Sequence, residues 1–167
     1  MRTVPWTVQP HDRNARMSYP ARLAAMVILA LLITGQTISA ANAPEHVIKY
    51  RQNLMTSAGA HLANVVLLAQ GRVDFADGLI TSAQAIVELL ENSRVAFPEG
   101  TAEGDTRARA KIWEERAKFD AALEDSLVSV RELAAAARGR DLEAVNAALV
   151  PVARGCRSCH LTFRVRD

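Results

Sequence analysis

From residue 44 onward the chain shows no alternating run of polar and apolar positions. Its apolar residues return at three- and four-residue steps, the period of helices that bury one face. Val47, Leu54, Ala58, His61, Val65 and Leu68 form one such stripe, broadened by Met55, Leu62, Val66 and Ala69. The spacing predicts a helix from about Pro44 to Gln70, with Pro44 tolerated in a first turn and Gly71 as its stop. Leu79, Ala83, Ile86, Val87 and Leu90 predict a second helix over about Asp74–Ser93, and the short polar link makes the two antiparallel neighbours. A third, about Arg109–Arg138, carries Ile112, Arg116, Phe119, Leu123, Leu127, Val130 and Leu133 on one stripe and ends at Gly139. Asp141 caps a fourth, striped by Leu142, Val145, Leu149, Val152, Cys156, Cys159 and Phe163, with Pro151 predicting a kink near Ala147. The longest connection, FPEGTAEGDTRA, holds Pro98 and two glycines, and a loop of that size is either functional or frayed. The fold class expected is all-α, an antiparallel up-down-up-down four-helix bundle.

The segment before residue 44 follows a different rule. Arg13, Arg16 and Arg22 precede the apolar run LAAMVILALLI, which gives way to small residues in TISAANAP, the order of a secretory signal peptide. The run is too short to span a bilayer comfortably. Cleavage after Ala40 or Ala41 is at least as plausible as after Ala43, where Pro44 follows the scissile bond, so residues 1–41 are read as the signal and 42–167 as the domain. Translation starting at Met17 fits an export signal better than a start at Met1, and an uncleaved anchor is the structural alternative. The whole chain has a formal charge of +2 and a pI near 8.8, but residues 42–167 hold 16 Lys and Arg against 17 Asp and Glu. A near-neutral domain gives no reason to expect nucleic acid as a partner. Export places it in the periplasm of a bacterium, with no membrane contact once the signal is cleaved.

All the cysteine chemistry lies in GCRSCHLTFRVRD, where Cys156, Cys159 and His160 form C-x-x-C-H. That pattern is the attachment signature of a c-type haem. Thiols one helical turn apart suit two thioether bonds to one porphyrin, and the next residue then offers an imidazole to the iron, making His160 the proximal ligand. Both cysteines fall on the stripe of the fourth helix, so their sulfurs are expected to face the bundle. Other readings of the pair are weaker. A zinc half-site needs two more ligands, and His46 and His61 lie far away on the first helix. A thioredoxin-like pair needs a βαβ context, and a disulfide across so short a loop adds little stability. No Ser, His and acid grouping and no Gly-rich phosphate loop suggests an enzyme, and the pair Glu114 and Glu115 reads as solvated charge. A haem-free helical binding protein is the alternative from another class.

The stretches IKYRQNLM, AFPEGT, GDT, IWEERAKFD and CRSCHLTFR together resemble the class II c-type cytochromes, the cytochrome c′ and cytochrome c-556 group. The likeness runs through the whole of residues 42–167. It implies one covalent haem c per chain, held between the helices near the C-terminal one, with Met55 over the distal face. It also implies haem contacts from Arg51, Gln52, Asp105 and Thr106, and a proximal-side arginine at Arg164. Spacing agrees in part: Arg51, Met55 and Gly59 lie four apart, so Arg51 could reach a propionate while Gly59 leaves room for a flat ring. The simpler readings are a core methionine and a solvated, acid-paired arginine. If Met55 bonds the iron, the expected function is one-electron transfer with an unidentified redox partner protein. If it does not, the protein resembles the cytochromes c′ that bind nitric oxide or carbon monoxide. Arg154, Arg157, Arg164 and Arg166 crowd the same end, either steering an acidic partner or balancing propionates and helix dipole. Dimerisation through the first two helices follows from family habit alone.

Overall fold

The computed structural model describes residues 42–166, and the signal-peptide reading of residues 1–41 lies outside them. The helices are α1 (Pro44–Ala69), α2 (Ala76–Ser93), α3 (Lys111–Glu114), α4 (Arg116–Arg138) and α5 (Leu142–Phe163). Among the described residues the strand-like pairing is a lone bridge between Ala108 and Arg164, so the all-α expectation holds. Pro44 sits in the first turn of α1, and Gly71, at φ 64°, takes the left-handed conformation that ends it. The Asp141 carboxylate accepts the Ala144 amide at 3.0 Å and caps α5, as its position implied. α5 continues as helix through Pro151.

The expected third helix is two helices. Glu115 leaves helical geometry at φ −121° and ψ 47°, separating the single turn of α3 from α4. The break has a visible cause on the loop that precedes it. Trp113 Nε1 donates to the Pro98 carbonyl at 2.9 Å, and Arg116 Nη1 donates to the Phe97 carbonyl at 3.0 Å. Both bonds tie the start of this region to loop backbone, while Ile112 and Phe119 on either side of the break are buried.

α1 packs chiefly on α2, α2 on α4, and α4 on α5, in the expected up-down order. Val65, Leu127, Val130, Leu133, Val145 and Val152 are almost wholly inaccessible and mark the core. Gly155 lets α5 approach α4 closely, since a Cβ there would meet Ser126 Oγ at 3.4 Å. On the surface, Glu91, Arg94, Glu124 and Arg131 close a ring of ion pairs between α2 and α4. The ring is exposed, so it orients the two helices more than it stabilises them. The remaining seam, between α1 and α5, is lightly packed. Asn146 Nδ2 fastens it at one end by donating to the Ala69 carbonyl at 3.2 Å.

Removing buried volume or the cap should have separable effects. Leu127→Ala is expected to cost about 2–5 kcal/mol of stability, and Asp141→Ala about 1 kcal/mol, with Asp141→Ser close to neutral. Denaturant titration of the holoprotein checks both. Equal losses from Asp141→Ala and Asp141→Ser would show that the carboxylate is not acting as a cap.

Candidate functional site

Where α1 and α5 fail to close, they enclose a cavity of about 500 Å³, inside the range of roughly 300–1,000 Å³ common for ligand and cofactor sites. Ile112, Phe119, Leu123 and Phe163 give it apolar walls. Phe119 holds its place by edge-on contacts with Phe97 at 4.8 Å and Phe163 at 5.4 Å. Polar and basic residues line the rest, among them Lys49, Arg107 and Arg164.

Arg51 is the most constrained of them. It lies on the inner face of α1 and is 3 % exposed. Its Nη1 donates to Thr101 Oγ1 at 2.8 Å, and its Nη2 to the Thr101 carbonyl and to Thr106 Oγ1, both at 2.7 Å. The guanidinium also lies over the rings of Phe97 at 5.2 Å and Trp113 at 5.6 Å. No carboxylate is within ion-pair distance of it among the described residues. Burial pulls its pKa down, yet arginine stays charged in proteins. The reading of Arg51 as a solvated, acid-paired charge is therefore wrong. A buried cation with only neutral partners leaves the cavity in need of an anion.

The loop is not frayed, because it is built around this cation. Thr101 Oγ1 in turn donates to the Pro98 carbonyl at 2.8 Å, and Thr106 Oγ1 also accepts from the Ala108 amide at 3.1 Å. Beyond Ala108 the loop is pinned to the end of α5: the Arg109 amide donates to the Phe163 carbonyl at 2.9 Å and the Val165 amide to the Arg107 carbonyl at 2.8 Å. Gly104, at φ 107°, adopts a backbone that suits glycine, and a Cβ there would meet Ile48 Cδ1 at 3.3 Å. Gln52 Nε2 reaches the Asp105 backbone carbonyl at 2.7 Å.

The expected site residues divide accordingly. Arg51, Gln52, Met55, Thr106, Cys159, His160 and Arg164 all line the cavity. Cys156, one turn before Cys159, is half-buried against the core and is not among its lining residues. The Asp105 side chain is exposed and borders a separate cavity of about 300 Å³ with Glu45 and Glu103. Gly59 lies exposed outside the main cavity, and a Cβ there would meet nothing within 4 Å, so it does not make room for a ring. Phe97, Thr101 and Trp113, which fix Arg51, lie in the stretches AFPEGT and IWEERAKFD, but nothing in their spacing assigned them to Arg51.

The α5 wall carries the reactive groups. No disulfide joins the two cysteines, and burial holds both thiol pKa values above the ordinary thiol value. For Cys159 burial, then the neighbouring Cys156 charge, pushes it up to about 11. His160 is exposed by area at the rim of the cavity. The desolvation its ring does experience, and then the Arg164 charge, lower its pKa, so the imidazole is a neutral donor near pH 7. Among the described residues no three His, Cys, Asp or Glu side chains gather as metal ligands, which leaves a zinc half-site without partners. Two thiols one turn apart, a neutral imidazole beside them, apolar walls and an orphan cation fit a flat apolar macrocycle that carries carboxylates.

Comparison with known proteins agrees with that fit. The family described as cytochrome c′ matches residues 46–164. The cytochrome c′ of Pararhodospirillum photometricum is 31 % identical over 122 residues, covering 72 % of this chain and 98 % of that protein. The crystal structure of cytochrome c′ from Rubrivivax gelatinosus superposes with a TM-score of 0.70 at 29 % identity, covering 74 % of this chain and 98 % of the other. The nitric oxide complex of a mutant cytochrome c prime from Alcaligenes xylosoxidans gives a TM-score of 0.70 at 28 % identity, covering 75 % and 98 %.

Replacing the forked guanidinium by a single ammonium should loosen the loop first. In the holoprotein, Arg51→Lys is expected to speed amide exchange across residues 98–108 by about tenfold or more, as the loss of a charged hydrogen bond worth about 1.5–3 kcal/mol implies. Protection in α4 should stay as it was. Unchanged exchange in the loop would mean that something other than Arg51 orders it.

Proposed function

The chain belongs to the cytochrome c′ family and carries covalently attached haem c, and we propose that it is an exported one-electron carrier whose iron is held by His160 and Met55. The observation that carries this reading is that α5 and α1 bring an imidazole and a thioether into the walls of one cavity. When bound, haem c would supply a ferric–ferrous couple, whose potential would be raised if methionine joined histidine in holding the iron.

The residues of the chain do the rest. Cys156 and Cys159 stand one helical turn apart, the separation that two thioether attachments require. His160 follows them directly and would hold the iron from that side. Ile112, Phe119, Leu123 and Phe163 keep water from the inner wall, which limits how much solvent must reorient when the charge changes by one. Arg51, held by Thr101 and Thr106, would meet a haem carboxylate as the anion its burial lacks. Gln52 and Thr106 complete the polar edge on the loop side, and Arg164 flanks His160. Asp105 takes part through its carbonyl, by fixing Gln52. None of these groups is arranged to attack or deprotonate a substrate, so the proposal is a carrier and not an enzyme. Residues 1–41 serve as the export signal under this reading, and the protein acts in the periplasm. Among the described residues no helix is long and apolar enough to cross a membrane.

A second reading rests on the relative from Alcaligenes xylosoxidans, which was solved with nitric oxide bound. Met55 is only half-buried. If its sulfur stays off the iron, the same apolar walls admit a small neutral gas, nitric oxide or carbon monoxide.

Optical spectra of the ferric and ferrous holoprotein, then addition of carbon monoxide, separate the two. As a carrier, the wild type is low-spin and unresponsive to the gas, whereas Met55→Leu becomes high-spin, binds carbon monoxide and has a lower potential. A high-spin wild type that shifts with the gas transfers the function to the second reading.

A further inference from the structure

We propose that Trp113 and Arg116 are positioning residues: from the junction of α3 and α4 they hold Arg51 at its station beside the cavity, and through it they help set the reduction potential. The inference rests on the haem c of the family and on Arg51 as the partner of a haem carboxylate. It is the same whether or not Met55 bonds the iron. Neither Trp113 nor Arg116 lines the cavity, so neither acts by touching what the cavity holds. Both act through the loop.

The route runs bond by bond. Trp113 Nε1 donates to the Pro98 carbonyl at 2.9 Å, and Thr101 Oγ1 donates to the same oxygen at 2.8 Å. Both acceptor positions of that carbonyl are then filled. Because the Thr101 hydroxyl has a single proton and directs it there, its lone pairs are left to accept Arg51 Nη1 at 2.8 Å. Trp113, Pro98, Thr101 and Arg51 thus form one chain of hydrogen bonds in which the orientation of each group fixes the next. Arg116 acts one residue earlier on the loop. Its Nη1 donates to the Phe97 carbonyl at 3.0 Å, while the Phe97 ring covers the Arg51 guanidinium at 5.2 Å. Arg116 is held in turn by the Asp120 carboxylate at 2.9 Å and lies over the Phe119 ring at 5.9 Å.

The departure from helical geometry at Glu115 falls between these two residues, so α3 and α4 each send one side chain to consecutive loop carbonyls. Such bracing matters because, among the described residues, no carboxylate lies within ion-pair distance of Arg51. Its place is set by neutral partners and ring faces alone. A fixed cation beside the cavity disfavours the more positive ferric charge, by an amount that shrinks as the cation moves away. Loosening the brace therefore lowers the potential.

Midpoint potentials of the holoprotein test this. Arg51→Gln removes the cation and should lower the potential. Trp113→Phe keeps a ring and loses the N–H, and Arg116→Lys keeps the charge but replaces the fork that meets both Phe97 and Asp120. Each should raise the ferric-to-ferrous ratio at a fixed applied potential roughly threefold, a fraction of what a charged hydrogen bond is worth. In the Arg51→Gln background both substitutions should add nothing, because residues that act through a shared partner are not additive. Leu133→Ala, a loss of buried volume elsewhere in α4, should lower stability and leave the potential where it was. A potential that falls in Arg51→Gln but stays in place in either Trp113→Phe or Arg116→Lys overturns the inference and leaves the role of Arg51 standing. Equal shifts with and without Arg51, or an equal shift in Leu133→Ala, also overturn it. An unmoved potential in Arg51→Gln overturns the reading of Arg51 and this inference with it.

Discussion

A guanidinium that has left water without a carboxylate to receive it is the constraint around which this end of the bundle is arranged. Arg51 is fixed by α1, and the loop must come to it, because desolvating an arginine is tolerable only if its donors are met. Thr101 and Thr106 meet them. Phe97 and Trp113 then cover the cation, and the hydrogen bond from Trp113 to the Pro98 carbonyl holds α3 where α4 alone would not run. The loop ends clamped to α5 just beyond His160. One buried charge thus connects the first helix, the longest loop and the last helix, and it borders a cavity whose described lining residues include no carboxylate.

The architecture divides its labour between seams. α4 and α5 carry most of the deeply buried side chains, Leu127, Val130, Leu133, Val145 and Val152, joined by Val65 of α1 and Ala83 of α2, and the ion-pair ring lies on the α2–α4 side. The α1–α5 seam gives up that packing to leave space for a cofactor. A bundle can do this because three well-packed seams fix four helices, so the fourth seam can be filled by the haem instead of by side chains. Under the proposed reading fold and site are not independent: a haem held in this cavity would complete the seam that the side chains leave unfinished.

What could be read from the sequence was what is local. Helix stripes, the Asp141 cap, the Gly71 stop and the C-x-x-C-H spacing depend on neighbours within a turn or two, and all of them appear in the fold. The break at Glu115 was invisible because Ile112 and Phe119, seven apart, stay on one stripe whether or not a single residue between them changes its dihedrals. Thr101 and Trp113 act on a residue fifty or more positions away, which no periodicity reports. A signal for Arg51 did exist: it falls four after Val47 and three before Leu54, inside the apolar stripe, where a solvated charge does not belong. Gly59 failed for the converse reason. A four-residue stripe was assumed to follow the cavity, but Gly59 is exposed and lies outside its lining.

Met55 is where the two functional readings meet, because the rest of the cavity serves both alike. Apolar walls that limit solvent reorganisation around a carrier are the same walls that admit a neutral gas. What differs is how firmly α1 presents one thioether on a flexible side chain. α1 is packed along α2, held at its far end by Asn146 and at its near end by the Arg51 network, while its contact with α5 is light. The Arg51 network lies one turn from Met55. Under the carrier reading, the buried cation therefore has a second consequence besides meeting a carboxylate: by fixing the near end of α1 it fixes the position from which the sulfur must reach the iron. The choice between carrying an electron and holding a gas would then depend less on the identity of residue 55 than on the rigidity of the helix that bears it.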